Sequence, residues 1–306
     1  MAVEDIKINR DQIVEIFNVS LQAKEEALGF FKEISPEYNY IELLKIHGKE
    51  IGDKNFALRA LFFTTTILHG DDTELSLKRI TDEKLIKDYD WIFTPQKVLR
   101  KSQAEIVEAC NNFFRPGGYN SNAFKQWFHN SAVLEYKFGG NLENYFNNYQ
   151  NDATEIINAL VVKVNAHTRD KPDFRRFGPK LSRLLIQWVN QYGLYEFKNV
   201  YKNGIPVDFQ ICRVLRQNNG IEFTVPVAAP TLTNRVVLPT LMEVFETENI
   251  NPRYASEAVW TIGNRGCNKK RHDICPLKNM CTSLMSRVPY DKLGLFDPTD
   301  VGRFET

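Results

Sequence analysis

The sequence predicts an all-α protein with two helical domains. Apolar residues recur at helical spacing along most of the 306 residues, and Gly and Pro clusters end those stretches. Strand-like signal is confined to short runs such as residues 221–227. The length suits about two domains at roughly 150 residues each.

The elements follow in order. Ile13, Ile16, Phe17 and Leu21 share one helical face. Residues 55–68 form a strongly apolar helix that ends at Gly70. Residues 101–114 form another, stopped by Pro116-Gly117-Gly118. Residues 121–138 run into Gly139-Gly140, a helix stop. Residues 153–164 and 180–191 repeat the pattern. Between those two lies a basic segment, 165–179, with Pro172 and Pro179, and a second loop-like segment spans 192–206. The expected division is an N-terminal arm (1–56) packing with a C-terminal domain (201–306), and a central six-helix bundle (57–200).

Hydrophobic residues make up 43% and charged residues 25%, ordinary for a soluble globular chain. The first residues carry acid and lead into no apolar stretch, and no apolar run is long enough to span a bilayer. An intracellular protein without a membrane partner is expected, with a monomer as the working assumption. The net charge is +1 but uneven. Residues 1–100 hold 14 Lys and Arg against 18 Asp and Glu, leaving +5 for the remainder. Residues 265–287 carry six basic residues against Asp273 alone, a local face suited to phosphates.

Three stretches carry chemistry. In Phe174-Arg175-Arg176-Phe177-Gly178-Pro179-Lys180, Gly178 frees backbone amides at a helix start, Pro179 suits the first turn and Lys180 sits at its mouth. The helix dipole and the two arginines favour a neutral amine there, the form a nucleophile needs. In Ile205-Pro206-Val207-Asp208-Phe209-Gln210-Ile211-Cys212-Arg213, Asp208 stands among apolar neighbours. It reads as a helix N-cap, or as a carboxylate held in a dry pocket to move a proton or steady positive charge. Cys267, His272, Cys275 and Cys281 bunch near the C-terminus, which in an intracellular chain suggests a metal before disulfides. Cys110 and Cys212 sit in apolar surroundings and read as buried thiols.

Together these stretches resemble the helix-hairpin-helix DNA glycosylase superfamily, which includes endonuclease III and the archaeal 8-oxoguanine glycosylases. Phe177-Gly178-Pro179-Lys180 matches the second half of the family's G-hydrophobic-G-x-K hairpin, and Val207-Asp208 with Arg213-Val214 matches the stretch bearing its essential aspartate. Gly117-Gly118-Tyr119-Asn120-Ser121 resembles its G-x-Y-N-S stretch. The spacing Cys267-x4-His272-x2-Cys275-x5-Cys281 keeps the last two gaps of the family's cluster loop, with His272 in place of a cysteine. The resemblance implies two helical domains with a cleft between them and a helix-hairpin-helix motif. It implies removal of a damaged base from duplex DNA, with Lys180 and Asp208 catalytic and Lys180 able to nick the strand through a Schiff base. It implies a [4Fe–4S] cluster on the four Cys and His residues, with zinc or an empty loop as alternatives. Candidate DNA contacts are Asn120, Ser121, Arg175, Arg176, Gly178, Lys269, Lys270 and Arg271. Arg176 replaces the first hairpin glycine, and the strand-inserting stretch is not recognisable. An enzyme acting on a modified nucleoside, or a non-catalytic nucleic-acid binder, stays open beside the glycosylase.

Overall fold

The structure, a computed structural model, describes residues 6–32, 36–67, 73–114, 121–161, 173–223, 231–267 and 269–282, with side chains left out at 36–38, 73–74, 121–123 and 231. It is predominantly helical, as expected. In chain order it has β1 (Lys7–Ile8), α1 (Arg10–Glu25), α2 (Pro36–Glu50), α3 (Phe56–Ile67), α4 (Thr73–Ile80), α5 (Glu83–Tyr89), α6 (Pro95–Val98) and α7 (Gln103–Phe113). Then follow α8 (Ser121–Phe138), α9 (Leu142–Asn148), α10 (Ala153–Val161), α11 (Pro179–Gln191), α12 (Phe209–Gln217), β2 (Ile221–Glu222), α13 (Leu238–Thr247) and α14 (Pro252–Thr261). Two π-helical segments, Thr231–Val237 and Ile262–Cys267, adjoin α13 and α14. No helix among the described residues is long and apolar enough to cross a membrane.

The chain divides into two compact units, one of residues 35–200 and one of residues 1–34 with 201–306. In the first, α3 forms the centre. Every one of its side chains is buried, so it carries no polar face. Three threonines survive there because each hydroxyl donates back along the helix: Thr64 to the Ala60 carbonyl at 2.6 Å, Thr65 to Leu61 at 2.8 Å and Thr66 to Phe63 at 2.6 Å. Arg59 is buried with its charge paired to Asp53 and its Nε donating to the Phe93 carbonyl at 2.9 Å. The core is aromatic, with Phe63 stacked on Trp127 at 4.9 Å between ring centroids. The helix α2 packs on α3 and α4, so residues 36–50 group with the middle of the chain and not with the N-terminal arm.

The second unit is discontinuous. β1 pairs antiparallel with β2, Lys7 opposite Glu222 and Ile8 opposite Ile221. α1 lays Ile13, Ile16 and Phe17 into a core shared with Val207, Ile211, Leu215, Val244 and Phe245 from the C-terminal segment. Phe17 meets Phe245 edge to face at 4.9 Å. The expected strand over 221–227 is described only at 221–222. Cys110 and Cys212 are buried, one in each unit.

Candidate functional site

The basic turn before α11 belongs to the unit of residues 35–200. Two aromatic anchors fix it. Phe174 packs on Phe62 at 4.8 Å and Tyr145 at 4.9 Å, and Phe177 packs on Phe62 at 5.2 Å. Between the anchors, Arg175 is exposed and Arg176 half-buried. Arg176 has φ 71°, the left-handed region, where an L side chain costs about 1–2 kcal/mol and glycine costs little. The backbone at residue 176 thus takes the shape that glycine adopts at little cost. Gly178 is the N-cap of α11, offers no side chain to cap it, and has open space where a Cβ would stand. Pro179 opens the helix and Lys180 is its second residue, half-buried.

The helix α8 grips this turn from behind. Asn130, 1% exposed, accepts from the Arg175 amide at 2.8 Å and donates to the Arg175 carbonyl at 3.2 Å. His129 Nε2 lies 3.1 Å from the Asp173 carbonyl, which places the ring proton on Nε2. Lys137 pairs with the Asp173 carboxylate. Burial, with the Arg175 and Lys137 charges, holds the His129 imidazole below its ordinary value of 6.5. Burial likewise lowers the Arg183 guanidinium, which donates to the Pro179 carbonyl at 2.9 Å in the first turn of α11.

Asp208 belongs to the other unit. It is the N-cap of α12, so the cap reading holds: Oδ1 accepts from the Gln210 amide at 2.9 Å and the Ile211 amide at 3.2 Å. The side chain is only 8% exposed, and Oδ2 accepts from the Trp260 indole N–H at 3.2 Å. The carboxylate is thus aimed from both sides. Burial and the nearby Asp208 charge push the Cys212 thiol up. Phe209, next along the helix, is 44% exposed with the Arg213 guanidinium 5.3 Å from its ring. The sequence assigns Trp260 and Asn130 no role at these sites, because no local pattern ties them to partners 52 and 45 positions away.

The segment after α14 braces α12 along its length. A Cβ on Gly263 would meet the Gln210 carbonyl oxygen at 2.8 Å, so only glycine allows this approach. At the far end of α12 the Cys267 thiol donates to Gln217 Oε1 at 3.2 Å and the Thr282 hydroxyl donates to the Gln217 carbonyl at 2.8 Å. Cys267, Cys275 and Cys281 are all buried and His272 is half-buried. The Cys275 thiol is pushed up to about 12, first by burial and also by Cys267 and Cys281. The donor chemistry suits a soft metal or cluster, yet among the described residues no three donors surround a common point. Lys269, Lys270 and Arg271 are exposed on the same loop, and Lys270 has φ 55°.

Of the expected contacts, Asn120 and the Ser121 side chain lie outside the described residues. The structure brings Arg175, Arg176, Gly178 and Lys180 onto one turn, and Asp208 and the cysteine loop onto the two ends of one braced helix system. No protein-family model matches the chain, and no curated protein matches it.

Proposed function

We propose that this chain is a DNA glycosylase with an associated lyase step, acting on a damaged base in duplex DNA. The observation that carries the reading is the left-handed backbone of Arg176, two residues before Gly178, the N-cap of the helix whose first turn bears Lys180. A tight turn feeding a helix N-terminus is the form that a phosphate-contacting hairpin takes.

The chemistry runs through two side chains. The damaged nucleotide leaves the stack at a cost of about a few kcal/mol. The Lys180 amine attacks the sugar carbon that bears the base. The carbon–nitrogen bond breaks, its electron pair leaves with the base, and a proton goes to the base. Asp208, held in a fixed orientation by two backbone amides and Trp260, stabilises the positive charge on the sugar or takes the proton lost by the amine. Ring opening gives an imine between Lys180 and the sugar. Loss of a proton from the neighbouring carbon expels the 3′ phosphate and nicks the strand. Arg175, Arg176 and the Lys269–Arg271 run supply phosphate contacts. Cys267, His272, Cys275 and Cys281 have the donor types of a [4Fe–4S] or zinc site, but among the described residues they are not gathered round one point, so no step is routed through a metal and an empty loop stands beside those two alternatives.

Borohydride trapping on duplexes with single lesions tests the proposal. A covalent complex that is lost in Lys180→Ala and slowed in Asp208→Asn supports it. A folded wild-type protein that traps on no lesion and no abasic site sinks the lyase step.

A further inference from the structure

We propose that Asn130 of α8 is the positioning residue that shapes the turn ahead of Lys180, taking over the task a glycine would perform. The inference rests on reading that turn as a nucleic-acid contact. A left-handed arginine persists only where its surroundings over-determine the backbone. Here the surroundings are identifiable. Asn130 closes a two-point ring on the Arg175 peptide, at 2.8 and 3.2 Å, directly before Arg176. It is 1% exposed, so its amide is shielded from water although both bonds are part-buried at their Arg175 end. His129 holds the Asp173 carbonyl at 3.1 Å, one helix position away, and Lys137 pairs with the Asp173 carboxylate two turns further along. Phe174 and Phe177 seal both flanks. Hydrophobic anchoring alone fixes where the turn sits. The two-point bond to Arg175 fixes the peptide from which Arg176 departs, and the Phe177 anchor fixes the residue that follows, so φ at 176 is held between two restrained points.

The idea separates Asn130 from an ordinary buried amide. If it compensates for the missing glycine, its importance must vanish once glycine is supplied. Arg176→Gly and Arg176→Ala both remove the guanidinium, but only glycine accepts φ 71° without strain.

The experiment compares wild type, Asn130→Ala, Arg176→Gly, Arg176→Ala and Asn130→Ala/Arg176→Gly. Binding to a duplex carrying a stable abasic-site analogue is read by fluorescence anisotropy, with melting temperature as the folding check. Asn130→Ala is expected to weaken binding about tenfold in the wild-type background and less than about twofold in the Arg176→Gly background. Arg176→Ala is expected to bind more weakly than Arg176→Gly. An equal loss in both backgrounds overturns the proposal. Should Asn130→Ala not fold, Asn130→Asp keeps the acceptor for the Arg175 amide, loses the donor, and is tested in the same two backgrounds.

A second readout needs no DNA. The Cα chemical shift and the amide–Hα coupling of Arg176 report its φ. They are expected to leave left-handed values in Asn130→Ala. Unchanged values overturn the clamp. Should wild type bind no duplex, the nucleic-acid reading falls, and these NMR values still decide whether Asn130 sets the turn.

Discussion

Asp208 shows how one side chain serves stability and chemistry at once. Its Oδ1 satisfies two amides at the start of α12, a service worth about 0.5–2 kcal/mol. A cap needs only that oxygen. Oδ2 instead meets the indole of Trp260, which arrives from α14. Trp260→Phe keeps most of the ring and deletes the N–H. It is expected to lower stability by about 1–3 kcal/mol. It is also expected to slow covalent trapping more than it weakens binding, since orientation of the carboxylate matters most as charge develops. The indole N–H resonance of Trp260 checks the bond directly: it should move in Asp208→Asn. A resonance indifferent to that substitution would show the two groups are not in contact in solution.

At the scale of elements, α8 and α12 act as the frames of the two candidate sites. α8 was legible from sequence to the residue, because Gly139 and Gly140 both adopt left-handed φ, 63° and 73°, and end it. α2 was not, because Ile41 and Leu44 are buried while Leu43 and Ile46 are exposed, which blurs the helical stripe. The short α5, α6 and α9 and the two π-helical segments carry no periodicity long enough to read. The turn residues and Asp208 were legible because their chemistry is local. Their supports were not, since Asn130 and Trp260 reach them across the fold. The α8 frame also carries a pH dependence. His129 is held below 6.5, so on acidification the unfolded chain takes up its proton first and the folded unit loses stability. Stability contributed by the neutral ring is complete above 6.5 and is lost as pH falls toward the depressed value. His129→Gln retains a nitrogen donor for the Asp173 carbonyl and does not titrate. Denaturant midpoints of wild type are expected to fall between about pH 7 and about pH 5.5, and the variant is expected to show a shallower slope. Parallel slopes would remove His129 from the account.

For the whole molecule, the decisive feature is that one unit is continuous in sequence and the other is assembled from both ends of the chain. The continuous unit buries its aromatic core with residues 36–200 alone. The other needs α1 to complete the core built with α12, α13 and α14, and needs β1 to pair with β2. Among the described residues the two cores share no buried residue, which implies that damage to one is felt there first. Phe17 tests this, since it is fully buried and packs edge to face on Phe245. Phe17→Ala is expected to cost about 3–5 kcal/mol, the penalty for emptying a large core site. Amide exchange should then rise across α12, α13 and α14 and stay unchanged in α3, α8 and α11. Asp208 and the cysteine loop would loosen with their unit, so trapping should fail while the turn around Arg176 keeps its backbone values. Uniform acceleration of exchange through both units would show instead that they unfold as one body. Separate behaviour would mean that a substitution in the N-terminal arm reaches the carboxylate without touching the lysine.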